Sequence, residues 1–289
     1  MNTARSSPPG TIETVVIVGV GLIGGSIAAA LQKRMLIPRV IGVSRDPAKL
    51  QPALDFGLLS DVDRDVTDAA DVADLIIFCT PVDRIVEGVR RAAAKCRPGT
   101  IITDVGSVKG EICRQLSIGL PADVTFVGSH PLAGSEKTGF EHADPDLFAG
   151  RACVVTPTAD TPRAAVDSVS LFWHALGMSL IETSPEDHDW FLAAASHVPH
   201  VVAAALACTL DDRSRHFAAS GFRDTTRIAA SDPELWTAIV RANPDAVITG
   251  LDQFSSGLQE LRDAIAAADW PRLQNLLQTA KTKRDALDE

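Results

Sequence analysis

With 289 residues, the chain has room for two domains, and its 46% hydrophobic and 22% charged residues give the balance of a globular protein, not a disordered one. A formal charge of -10 opposes binding to a polyanion, which excludes nucleic acid as a partner but leaves room for a local basic pocket that holds a small anion.

Residues 1–12 read as a flexible Ser/Pro-rich tail without the apolar stretch of a signal peptide. No apolar run approaches the roughly 20 residues needed to span a bilayer, so no membrane partner and a cytoplasmic location are expected. From Thr14 onward, short β-branched runs alternate with helical stretches, the pattern of βαβ units around a parallel sheet. The predicted strands are Thr14–Val18, Val40–Val43, Leu75–Cys79, Thr100–Asp104, Thr125–Gly128, Ala152–Thr156 and Ser179–Glu182. Helices are predicted at Ile23–Lys33, Ala48–Phe56, Ile85–Cys96 and Ala164–Leu176, with Asp46-Pro47 and Thr161-Pro162 each reading as a cap followed by an N1 proline.

Beyond Glu182 the pattern becomes Ala/Leu-rich and helical, so the expected division is an α/β Rossmann-type dinucleotide-binding domain at 13–183 and an all-α domain at 184–289. A long helix is predicted from near Glu186 past Leu206, kinked at Pro199, and a helical hairpin from Asp245–Ala268 and Pro271–Leu287. The five cysteines are scattered and odd in number, and read as reduced packing residues.

The strongest local motif is Gly19-Val20-Gly21-Leu22-Ile23-Gly24, between the first strand and the first helix. Gly19 serves the tight turn, Gly21 the close approach of a pyrophosphate, and Gly24 helix–strand packing, with the phosphates on the helix N-terminus. Thr80, at the end of the third predicted strand, is a further cofactor-binding candidate. NAD sites place an acid roughly 20 residues beyond the loop. Here the second strand ends in Ser44-Arg45-Asp46, and a hydroxyl beside a guanidinium suits the 2′-phosphate of NADP. The alternative is that Asp46 holds the ribose of NAD while Arg45 is solvated.

Three more clusters follow: Thr103-Asp104-Val105-Gly106-Ser107-Val108-Lys109, then Gly128-Ser129-His130-Pro131-Leu132-Ala133-Gly134-Ser135-Glu136, and, in the helical half, Ser196-His197-Val198-Pro199-His200 with Gly221-Phe222-Arg223-Asp224-Thr225-Thr226-Arg227. In this order and spacing, with the glycine loop, they resemble the prephenate/arogenate dehydrogenase family from about Thr14 to Asp285. The resemblance implies a Rossmann domain joined to a helical domain that forms a homodimer, with prephenate or arogenate in the cleft and NADP or NAD as cofactor. It implies that His130 accepts the ring-hydroxyl proton, that Ser107 lies near the nicotinamide and the histidine, and that Arg227 binds a substrate carboxylate. It also places His200 against the substrate side chain and Trp236 near the partner subunit's site. Glu136 is an ambiguous substrate-binding candidate, either attracting an ammonium group or acting as a pH-sensitive gate.

The chemistry stands without the family. Removing hydride from a secondary carbinol needs a base near neutral pKa, and an unperturbed histidine at about 6.5 supplies one. A dicarboxylate needs a cationic anchor, and Arg227 offers parallel N–H donors. His197 and His200, three residues apart, lack a visible third ligand for a metal. His197 reads as a packing residue, Lys109 as the start of a helix, Asp104 as a strand cap, and His142, His174, His188 and His216 carry no role. Competing expectations are another two-domain Rossmann reductase and a dinucleotide sensor without turnover. The first has no need of the paired histidine motifs, and the base and anion anchor argue against the second.

Overall fold

The computed structural model of the chain describes residues 12–37, 39–134, 137 and 139–287. The expected tail, apart from Ile12, and the candidate Glu136 lie outside the described residues. Eight strands form one sheet: β1 (Thr14–Val18), β2 (Arg39–Val43), β3 (Asp61–Asp63), β4 (Leu75–Phe78), β5 (Ile101–Asp104), β6 (Thr125–Pro131), β7 (Ala152–Thr156) and β8 (Ser179–Glu182). Their order is β3-β2-β1-β4-β5-β6-β7-β8, parallel from β3 to β6, with β7 antiparallel to β6 and β8 parallel to β7.

Helices α1 (Leu22–Lys33), α2 (Gln51–Asp55), α3 (Val66–Ala69), α4 (Val82–Ala93), α5 (Gly110–Leu116) and α6 (Arg163–Ala175) provide the crossovers. Both faces of the central strands are covered, which is why β1, β2 and β4 are apolar nearly throughout. On β1, Val15 and Ile17 enter one core with Leu31, Phe148 and Trp173, while Val16 enters the other with Ile76, Phe78 and Ile85. Of the cysteines, Cys113 and Cys153 are buried as expected, whereas Cys208 is exposed.

Several expectations shift. β3 was not predicted, because Asp61-Val62-Asp63 is a short, largely polar edge strand with no apolar run to announce it. The segment at Ala48–Phe56 is a 3-10 turn, Pro47–Leu50, followed by the short α2. Pro162 occupies the cap of α6 itself, one position earlier than N1. Most consequentially, β6 runs to Pro131, since its last residues pair with β7, His130 opposite Val154. His130 therefore sits within a strand, two residues beyond its expected end at Gly128.

From Pro185 the chain is helical: α7 (Pro185–Leu192), α8 (Val198–Ala207), α9 (Ser220–Thr226), α10 (Pro233–Ala242), α11 (Pro244–Ala266) and α12 (Trp270–Asp285). The Ser184 hydroxyl accepts the Asp187 N–H at 3.0 Å and caps α7. The kink expected at Pro199 takes the form of a π turn at Ala193–His197 directly before it, which absorbs the hydrogen bond that proline cannot make. By length and composition, Pro185–Ala207 is in fact apolar enough to cross a bilayer, contrary to the reading of the sequence. Its buried His188, Asp189, His197 and His200 bind it instead to the rest of the protein. Helices α11 and α12 pack as the expected hairpin, yet leave Ile248, Phe254, Leu258, Ile265, Trp270 and Leu277 exposed.

Candidate active site

A cavity of about 710 Å³ opens at the carboxyl ends of β1, β2 and β4, where the strand order reverses direction around β1. Ligands of open α/β sheets bind at such switch points. Gly19, Gly21, Ser44, Arg45, Arg64 and Thr80 are among its lining residues. Gly19 has φ +93°, and a Cβ there would lie 2.9 Å from the Cys79 carbonyl oxygen. A Cβ on Gly24 would meet the Gly19 carbonyl oxygen at 2.4 Å, so helix and loop close only with glycine at both positions. At Gly21, by contrast, a Cβ would meet nothing within 4 Å: its bare face looks into open space. Leu22 and Ile23 open α1 immediately beyond.

These residues fit a dinucleotide. The loop presents the free end of α1 to a pyrophosphate, and the buried Thr80 hydroxyl has no partner among the described residues and lines the same cavity. Beyond β2, Asp46 is outside the lining and caps the following 3-10 turn, its N–H bonded to Ser44 Oγ at 3.3 Å. Arg64, which sequence reasoning did not single out, joins Ser44 and Arg45: its Nε–H donates to the Arg45 carbonyl at 3.3 Å. The unpredicted strand β3 delivers it, since Arg64 follows directly after Asp63. The neighbouring Asp65 is engaged by Arg91 and by both the N–H and hydroxyl of Thr67.

The second constellation surrounds His130, half-buried on β6. Its Nδ1 lies 2.9 Å from Nε2 of His188 on α7, and His188 Nδ1 lies 2.8 Å from Asp189 Oδ1. His188 had been given no role, and it is fully buried against the candidate base. No spacing rule relates the two, because they lie 58 residues apart. Burial, then the proximity of His188, Lys109 and His197, pushes the pKa of His130 well below the ordinary 6.5. The expected value near 6.5 is corrected accordingly: desolvation and the nearby Lys109 ammonium both disfavour the imidazolium.

Beside this strand lies a buried polar network. Lys109 and Asp104 form an ion pair with no exposure of either side chain, and Lys109 Nζ also donates to the Ser129 carbonyl at 3.0 Å. Asp104 accepts the N–H groups of Gly106 at 2.9 Å and Ser129 at 3.2 Å. Asp104 thus does more than cap a strand, and Lys109 does more than start α5. Ser107 sits half-buried in the loop between them, close to His197 through its backbone.

In the helical half, His200 stacks on Trp236 with ring centroids 3.4 Å apart and planes inclined by 14°. Trp236 packs against His200 and, edge to face, against His197 of its own chain. His197 is buried, accepts from Asn243 Nδ2 at 3.4 Å, and has its pKa pushed down to about 4, chiefly by desolvation. Arg227 begins a 3-10 turn, Arg227–Ala230, packed on the α8 that carries His200. It is exposed, and no carboxylate pairs with it among the described residues.

Comparison with known proteins places this arrangement. Residues 27–182 match the model of the prephenate dehydrogenase nucleotide-binding domain, and residues 184–279 that of the prephenate dehydrogenase dimerization domain. A prephenate dehydrogenase of Bacillus subtilis is 33% identical over 95% of this chain and 76% of its own length. A cyclohexadienyl dehydrogenase of Zymomonas mobilis is 34% identical over 94% of this chain and 95% of its own. Among solved structures, prephenate dehydrogenase from A. aeolicus in complex with hydroxyphenyl propionate and NAD+ superposes with a TM-score of 0.90 at 31% identity, covering 98% of this chain and all of that one. Synechocystis arogenate dehydrogenase superposes with a TM-score of 0.81 at 31% identity, over 95% of this chain and 99% of its own.

Proposed function

The chain belongs to the prephenate dehydrogenase family, and we propose on that footing that it converts prephenate to 4-hydroxyphenylpyruvate and CO2 in tyrosine biosynthesis, with His130 as the base. It is an oxidoreductase that uses a nicotinamide dinucleotide. The observation that carries the reading is the partly exposed imidazole of His130 at the carboxyl end of β6, on the same sheet edge as the glycine-loop cavity.

When bound, the nicotinamide supplies the acceptor for the carbinol hydride. The residues of the chain do the rest. His130, neutral because its pKa is depressed, takes the proton from the ring hydroxyl as the hydride leaves. Loss of CO2 then delivers an electron pair to the ring, which becomes aromatic, and the resulting phenolate recovers that proton from His130. No net proton is exchanged with solvent, so a sheltered base serves well. Arg227, exposed and without a carboxylate partner among the described residues, anchors a substrate carboxylate, with His200 and Trp236 forming an aromatic wall and Ser107 near the reacting ring.

The cofactor reading is NADP over NAD. It is supported by Ser44, Arg45 and Arg64, which line the cavity, whereas Asp46 does not. Residues 13–183 form the cofactor domain and 184–289 the domain through which two copies associate, the exposed apolar residues of α11 and α12 being the surface such pairing would bury. Following NADPH absorbance with prephenate, arogenate and a simple hydroxyacid in parallel tests the assignment. Turnover of the hydroxyacid alone, or of none of the three, overturns it; turnover confined to arogenate leaves the fold and base but replaces the substrate.

A further inference from the structure

We propose that His188 and Asp189 form a positioning relay behind His130, fixing its tautomer so that Nε2 carries the lone pair that receives the substrate proton. The inference rests on the reading of His130 as the base and goes beyond it.

The Asp189 carboxylate accepts the backbone N–H of Lys109 at 2.7 Å and of Gly110 at 2.9 Å, at the foot of α5. That position suits a negative charge, and the absence of a side chain on Gly110 makes room for it: a Cβ there would sit 2.9 Å from Asp189 Oδ2. A carboxylate only accepts hydrogen bonds, so the His188 nitrogen 2.8 Å away, Nδ1, must donate. A neutral imidazole has a single N–H. His188 is fully buried, with its pKa lowered mainly by desolvation, and so is neutral. Its Nε2 is therefore an acceptor, and the atom facing it at 2.9 Å, His130 Nδ1, must be a donor. The only lone pair left on His130 is on Nε2.

Isolated neutral histidines can place their proton on either nitrogen, so a base held in one tautomer gains both a defined direction and a defined reacting atom. When His130 takes the substrate proton, O–H is broken and Nε2–H formed. The Nδ1–H then points the new positive charge at the His188 lone pair, which Asp189 backs. Return of the proton to the phenolate restores the starting tautomers, so the relay turns over without consuming anything. Asn243, whose Nδ2 donates to the Asp189 carbonyl at 2.7 Å, ties the relay to the junction of α10 and α11. The charged and titratable groups facing the pair are Lys109 and Asp104 from the sheet side, Asp189 from α7 and His197 from the π turn.

The test combines a direct readout with a functional one. Side-chain nitrogen NMR of the whole protein at pH 7.5 should show both His130 and His188 protonated at Nδ1 and bare at Nε2, assigned through His130→Asn and His188→Leu. His188→Leu removes the acceptor while keeping an apolar filling. It should lower kcat about 10- to 1,000-fold, leave the KM for prephenate and the Kd for NADPH within about threefold, and move the acid limb of the pH profile. His188→Gln, whose amide oxygen can accept from His130, should recover part of kcat. A wild-type His130 protonated at Nε2 would overturn the proposal even if no variant folded. So would a kcat in His188→Leu within twofold of wild type. If His130→Asn itself stayed active, the base assignment would fail instead, whatever the tautomers.

Discussion

Lys109 and Asp104, five residues apart on the two sides of a loop, neutralise each other with neither side chain exposed, and the same ammonium holds the Ser129 carbonyl next to His130. The pair keeps the carboxyl ends of β5 and β6 in register beneath the base. Removing one partner leaves the other charged, buried and uncompensated. Lys109→Met should cost about 3–5 kcal/mol in urea unfolding. Adding Asp104→Asn, which removes the stranded charge but keeps an acceptor, should recover more than half. Equal stability of the single variant and the wild type would show that the pair is dispensable.

His130 titrates below the ordinary histidine range because burial and nearby Lys109, His188 and His197 disfavour its cation. The base is the neutral form, so activity is full above the depressed pKa and lost as pH falls through it. kcat/KM should therefore be flat from pH 7 to 8 and decline only below the ordinary value of about 6.5. His130→Asn, which cannot accept a proton at neutral pH, should lose about 100- to 10,000-fold in kcat with little change in cofactor Kd. Single-turnover hydride transfer from pH 5 to 9 in both proteins measures this; a variant within threefold of wild type, with the same profile, would make His130 a strand residue only.

The same depression has a consequence for stability. His130, His188, His197 and His200 all have lowered pKa values, His197 to about 4, with desolvation the leading cause in each. Unfolded, each binds a proton near 6.5, so below that pH the unfolded state takes up more protons than the folded one. The contribution is fully present above about pH 6.5 and is lost as pH falls through the folded values. Thermal unfolding should show Tm constant from pH 7 to 8 and falling between pH 6.5 and 4.5. In His197→Gln the fall should be shallower; an unchanged slope would mean that His197 is not buried neutral.

Two guanidiniums, Arg45 and Arg64, line the cavity beside the glycine loop and bear on the choice of cofactor. A guanidinium gains far more from a 2′-phosphate, which offers charged acceptors, than from the neutral 2′-hydroxyl of NAD. Arg45→Ala and Arg64→Ala should each weaken NADPH binding about 10- to 100-fold while changing NADH binding less than threefold. Fluorescence titration of the two cofactors reads both. A wild type that binds NADH tenfold more tightly than NADPH would sink the NADP reading.

Arg227 lacks a carboxylate partner among the described residues, which leaves its guanidinium available to substrate. Its truncation should remove a contact worth about 2–5 kcal/mol and so raise the prephenate KM by roughly 30-fold or more. Cofactor affinity should stay put. Unchanged KM for both prephenate and arogenate would move the anchor elsewhere, Arg223 being the first residue to test.

Local rules sufficed for the parts of this protein that are local. The glycine loop, the apolar strands and the Pro185 start of the helical half are each written within a few residues, because a tight turn, a doubly covered strand and a helix cap constrain neighbours in sequence. The histidine at residue 130 and the arginine at 227 stood out through motif order. What only the tertiary structure decided depends on residues far apart. The polar edge strand β3 carries Arg64 to Arg45 across 19 residues of sequence, and it bears no apolar signature. The antiparallel pairing with β7 turns an expected loop into the strand that holds His130. His188 reaches that histidine across 58 residues, and Trp236 stacks on His200 from a separate helix. Burial depends on the whole fold, and it is burial that depresses the pKa of His130 and turns Asp104 and Lys109 from turn residues into a neutral pair beneath the base.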